Sequence, residues 1–182
     1  MARIPDLKPE EMSERQKQLA AEIGGPRGGV VRGPFAIWLR NPDLVDKANQ
    51  LGNLLREGTT VPRRLSELAI LVTARHWTAQ YEWFAHENQA IEQGIAKEIV
   101  EAIRHRKTPP FAKKDEQLVY AICSELYENK KVSDATYNAA VAGLGQQMVI
   151  ELMTIASFYA MIAMFLVTFE APVPGGKLPL PE

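Results

Sequence analysis

Apolar residues return every three or four positions through most of this chain, and no stretch alternates long enough for a strand. Met12, Leu19 and Ile23 mark a short amphipathic helix behind Leu7 and Pro9. Asn41 or Asp43 beside Pro42 starts a helix through Val45, Ala48, Leu51, Leu54 and Leu55, which Gly58 ends. Thr60 and Pro62 open the next, which carries Leu65, Leu68, Ile70, Leu71, Val72 and Ala74 up to Trp77. A third covers Gln80 to Gln93, with Gly94 as its stop, and a short one covers Ala96 to Arg104. After Pro109 and Pro110 the period resumes from Asp115 to Glu128, and Ser133 then caps a helix ending at Leu144. The run from Leu152 to Phe169 is apolar around its whole circumference. The pattern predicts an all-α protein.

Glycine and proline divide the chain. Residues 24 to 35 hold five glycines and two prolines together with Arg27 and Arg32, a composition that reads as a flexible loop. No strand precedes it, so it is not read as a phosphate cradle. This gives three parts: an N-terminal helix and Gly-rich loop over residues 1–34, a helical domain over 35–170, and a Pro-rich tail over 171–182. Laying Val61 on Val132 also aligns two halves of similar helix order, which reads as an internal helical repeat. The Leu152 to Phe169 run reaches the lower length limit for crossing a bilayer. It contains Thr154, Ser157 and Thr168, follows Glu151 and lacks a basic flank, so it reads as a buried helix instead. A helix apolar all round must be covered on every side, which predicts cover from other helices and from another copy of the chain.

Composition narrows the functions. With 21 Lys+Arg against 22 Asp+Glu the net charge is -1, leaving no basic surplus for nucleic acid or an anionic membrane. The one cysteine, Cys123, excludes an internal disulfide, a redox CxxC pair and a cysteine-rich zinc site. The first twenty residues are polar with charges of both signs and read as a chain without a secretory leader, hence cytoplasmic.

Few residues could carry chemistry. Glu67 shares a helical stripe with Ile70, Leu71 and Ala74, which makes it either a core carboxylate in need of a partner or an exposed first-turn Glu. Glu82 and His86 stand at i, i+4, with Trp83 and Ala90 beside them. That spacing suits a carboxylate-tuned histidine for acid-base work and equally a surface ion pair or a satisfied core histidine. One imidazole and no HExxH spacing argue against a metal site. His76 ends its helix, where a cation suits the C-terminal dipole. Arg32, Arg40 and Arg75 are the cations best placed to meet a substrate carboxylate.

The segment SELAILVTARHWTAQYEWFAHENQAIEQGI resembles the carboxymuconolactone decarboxylase family, within the alkylhydroperoxidase D-like superfamily. The similarity extends from GPFAIWLRNPDL to MVIELMTIASFYAMIAMFL, and its most specific part is Glu67, the trio Tyr81-Glu82-Trp83, and His86. The resemblance implies a compact all-helical fold assembling as trimers or hexamers. The peroxidase branch of that superfamily uses two cysteines, and the corresponding positions here are Ala79 and Glu82. A thiol peroxidase needs one thiol to attack and another to resolve the sulfenic acid, so the resemblance points to the decarboxylase-type branch. Those enzymes act without cofactor on a carboxylated lactone of aromatic-acid catabolism, releasing carbon dioxide. The expectation is therefore a small-molecule lyase in which His86 is the general acid-base, Glu67 and Glu82 orient it, and Trp83, Phe35, Trp38, Arg32 and Arg75 bind substrate. An alkylhydroperoxidase-type oxidoreductase and a non-catalytic oligomeric binding protein are the alternatives.

Overall fold

The computed structural model describes residues 2–25 and 29–181; Arg27 lies outside them. Among the described residues the chain forms helices and no strands. In order they are α1 (Glu14–Gly24), α2 (Pro34–Trp38), α3 (Pro42–Glu57), α4 (Arg63–Trp77), α5 (Gln80–Glu92), α6 (Lys97–Arg104), α7 (Lys114–Asn129), α8 (Asp134–Leu144) and α9 (Gln146–Thr168). Local chemistry sets most of these ends. Ser13 and Gln16 cap α1 reciprocally, the Asn41 side chain accepts from Leu44 N ahead of Pro42, and Ser133 accepts from Thr136 N at the start of α8. Gly94, with φ 95°, follows α5 in a left-handed conformation closed to most side chains.

Helix α4 is the axis of the fold. Every residue from Leu65 to Arg75 is buried, and α5, α7 and α9 pack around it. Leu68, Ala69, Ile70 and Leu71 are wholly inaccessible. Each such Leu or Ile contributes about 1.5–3 kcal/mol through the water it sheds. A helix this enclosed is an expensive place for a carboxylate, and Glu67 sits in its middle.

Helix α9 is covered on one side only by the rest of the chain. Leu152, Ile155, Phe158, Tyr159, Ile162 and Leu166 face inward, but Ile150, Met161, Met164 and Val167 are exposed. The helix is long and apolar enough to cross a membrane by length and composition, and half of its most apolar window is packed inside the protein. A single chain therefore leaves one face of it uncovered.

Two smaller features also differ. The region around Phe35 forms a short helix of its own, α2, entered through Gly33 at φ 60°. The Pro-rich tail is tied down: Gln80 accepts from Leu180 N at 2.8 Å and donates to Leu180 O at 2.9 Å, while Arg104 donates to Pro179 O. His76 is not a cationic helix cap. It stacks on Tyr127 with ring centroids 4.7 Å apart, and burial, with Lys130 and Arg106 nearby, holds it below the usual histidine range.

Candidate active site

Helices α4 and α5 form a tight hairpin. Thr78 takes a left-handed conformation at φ 50°, and Ala79 N donates to Ala74 O at 2.8 Å, which folds α5 back along α4. The fold-back sets Glu67 against His86, which a linear sequence separates by more than a helix length. Glu67 is 0% exposed. Its Oε2 accepts from His86 Nδ1 at 2.7 Å, and its Oε1 is ion-paired with Arg63 Nη2 at 2.7 Å. Arg63 also donates to Gln89 Oε1 at 3.1 Å, so the buried carboxylate is held from both sides. A carboxylate only accepts, so Nδ1 carries the ring hydrogen and Nε2 is left for the cavity.

That cavity, about 700 Å³, is walled by α3, α5, α9 and the approach to α2. Its polar wall includes Arg32, Arg56, Arg63 and His86 together with Glu22, Glu57 and Glu82; its apolar wall includes Phe35, Phe158, Tyr159 and Ile162. The Tyr159 ring meets His86 edge-on at 5.1 Å, and its phenol is pushed up to about 12, chiefly by burial, so it stays protonated. Tyr81 also lines the cavity and lies over Gly33, where an added Cβ would stand 2.5 Å from its ring.

The structure brings together some of the expected residues and separates others. Glu67, His86, Glu82, Phe35 and Arg32 are at the cavity or directly behind its wall. Glu82 does not orient His86: both of its oxygens lack a hydrogen-bond partner, because the imidazole turns toward α4 and Glu67. Burial pushes the Glu82 carboxyl well above the ordinary carboxylate range. Trp83 is wholly buried on another face of α5, donating to Glu87 Oε2 at 3.0 Å under the Arg104 guanidinium, and does not line the cavity. Trp38 is likewise spent on packing, edge-on to Phe35 and Phe165. Arg75 is buried between α4 and α6, donating to Arg104 O at 2.8 Å and Thr78 Oγ1 at 3.0 Å. Arg40 donates to Pro5 O and is also away from the cavity. No group of three His, Cys, Asp or Glu among the described residues could hold a metal ion.

Sequence reasoning missed Arg56, Arg63 and Tyr159. Two of these left a signal: Arg63 stands one turn before Glu67, and Asn49, Asn53 and Arg56 form a polar line at i, i+4, i+7 along α3. Tyr159 left none. It is a tyrosine in an apolar run, and only the packing of α9 shows that it faces His86.

No protein-family model matches the chain, and no curated protein matches it in sequence. Solved structures do share its architecture, which is the all-α, AhpD-like fold. An uncharacterised peroxidase-related protein from Silicibacter sp. TM1040 superposes with a TM-score of 0.77 at 13% identity, over 93% of this chain and 90% of that one. The debrominase Bmp8, solved as a cysteine-to-alanine variant with 2,3,4-tribromopyrrole, gives 0.74 at 12% identity over 92% and 89%. An Agrobacterium tumefaciens protein of unknown function, named for the antioxidant-defence protein AhpD, gives 0.65 at 10% identity over 76% and 95%.

Proposed function

We propose that the cavity is the active site of a cofactor-independent acid-base enzyme, a carboxymuconolactone decarboxylase-like lyase, acting on a small carboxylated lactone or a related intermediate of aromatic catabolism. The observation that carries this reading is the 2.7 Å contact between His86 Nδ1 and the fully buried Glu67. A histidine fixed in one tautomer by a buried carboxylate presents a ready proton carrier on its other nitrogen. Arg56 and Arg32, in place of Arg75, are the cavity cations suited to a substrate carboxylate. In the reaction, the C–C bond to a second carboxylate breaks and carbon dioxide leaves. Its electron pair passes through the conjugated lactone toward the carbonyl, and His86, first protonated from solvent at Nε2 to the imidazolium, passes that proton to carbon and completes the enol-lactone.

Thiol chemistry is disfavoured. Cys123 is fully buried in α7, and burial pushes its thiol up to about 12. The complex of Bmp8 with 2,3,4-tribromopyrrole supports a small ring as the kind of ligand this fold can hold. In the same reading the chain works as a homo-oligomer, supported by the uncovered apolar face of α9.

The test is carbon dioxide release from 4-carboxymuconolactone. The wild type turns it over, and His86→Ala falls by about 10²–10⁴-fold while keeping its fold. Absence of turnover by pure wild type removes the lactone as substrate.

A further inference from the structure

The cavity wall contains a group that the proton transfer at His86 does not use. Three carboxylates among the described residues are buried: Glu67, Glu82 and Glu116. Glu67 is held by His86 and Arg63, and Glu116 by Arg64 and Lys113. Glu82 alone of the three has no partner on either oxygen, at 2% exposure. It lines the same cavity as His86, one turn earlier on α5. A buried carboxylate without a cation or donor takes up a proton, and the neutral acid then has one hydroxyl hydrogen in need of an acceptor. No described residue is hydrogen-bonded to either Glu82 oxygen, and the cavity that Glu82 lines is where an acceptor can come from.

We propose that the Glu82 hydroxyl donates a hydrogen bond to a carbonyl oxygen of the ligand, and that this contact selects carbonyl-bearing ring carboxylates over those lacking the carbonyl. The proposal rests on the acid-base reading only in taking this cavity as the ligand site. The role given to Glu82 is separate from that of His86. The electron pair released on decarboxylation collects at the lactone carbonyl, where a fixed O–H donor stabilises it. The proton stays on Glu82, and His86 supplies the one that reaches carbon.

A matched pair of unreactive probes tests this: 5-oxotetrahydrofuran-2-carboxylate, a saturated carboxylated lactone, and tetrahydrofuran-2-carboxylate, which lacks the carbonyl. Calorimetry on the wild type is expected to favour the lactone by about tenfold, the scale of one buried hydrogen bond whose loss leaves a donor unpaired. Glu82→Gln, which retains an N–H donor, keeps most of that preference, Glu82→Leu loses it, and His86→Ala leaves it intact. In infrared difference spectra of the wild type, the carboxylic-acid C=O band that Glu82→Gln removes shifts when the lactone binds; this readout does not depend on Glu82→Leu folding. Equal affinities or no binding in the wild type, a preference that survives Glu82→Leu, or a band unmoved by the lactone overturns the proposal. Carbon dioxide release measured alongside separates the two readings. Loss of turnover with the preference intact defeats only the acid-base assignment, and normal turnover without the preference defeats only the Glu82 assignment.

Discussion

At Glu67, the Arg63 guanidinium and the His86 ring each hold one carboxylate oxygen in the most enclosed helix of the protein, and that arrangement makes His86 a directed group. Replacing Glu67 with Gln keeps the shape and removes the charge, so turnover is expected to fall by about 10²-fold or more, as happens when a histidine loses the carboxylate that sets its tautomer. Cys123→Ser, by contrast, leaves carbon dioxide release within about twofold, since the buried thiol takes no part; steady-state kinetics on both variants decides the matter. Glu82 makes a second prediction, through pH. Its folded-state carboxyl titrates well above the ordinary value of 4.5, so between 4.5 and that raised value the native state holds a proton the unfolded chain has released. The stabilising contribution is complete below pH 4.5 and is lost as pH rises toward the folded value, at up to about 1.4 kcal/mol per pH unit. Glu82→Gln does not titrate, so urea unfolding from pH 4.5 to 8 should show the wild type losing ground to the variant; a constant difference contradicts a neutral buried Glu82. Glu67 and His86 were legible in the sequence as residue types on the right stripes. The role of Glu82 was not, because i, i+4 spacing places two side chains on one stripe and leaves open which way each turns.

Helix ends were the most legible elements, since caps and stops are local chemistry. Asn41, Gly58, Pro62, Gly94 and Ser133 all act where the spacing placed them. What local chemistry does not announce is a contact that a turn makes with a distant helix. Gly33 enters α2 at φ 60° and lies under the Tyr81 ring, so Gly33→Ala meets both a left-handed backbone and a clash at 2.5 Å. The expected cost is about 1–3 kcal/mol, read as a lowered thermal midpoint, with weaker ligand binding because Tyr81 is displaced from the cavity wall. Unchanged stability contradicts this packing. The tail was likewise read from its prolines as a separate part, whereas Gln80 and Arg104 hold its backbone against α5 and α6. Side-chain clamps on a backbone carry no periodic signal.

At the scale of the whole molecule, the all-α architecture followed from hydrophobic period alone, and the cavity did not. It takes Arg56 from α3, His86 from α5 and Tyr159 from α9, three helices whose neighbourhood depends on how α4 is wrapped. The apolar circumference of α9 was plain in the sequence, and the fold shows which part of it one chain cannot cover. Ile150, Met161, Met164 and Val167 remain exposed, a face that gains from burial against a second copy. On the self-association reading, the wild type is expected to run as an oligomer and a Met161→Glu and Met164→Glu double variant as a monomer in light scattering coupled to size exclusion, with the helical signal retained. A monomeric wild type contradicts the self-association reading.

The most direct measurement is the tautomer of His86. In long-range 1H–15N spectra of protein labelled at its three histidines, with His86 assigned by its loss in His86→Ala, the neutral ring should carry its hydrogen on Nδ1, donated to Glu67. Nε2 should then be the bare nitrogen offered to the cavity. A hydrogen on Nε2 with Nδ1 bare contradicts the buried carboxylate–histidine pair, and with it the proton transfer assigned to this site.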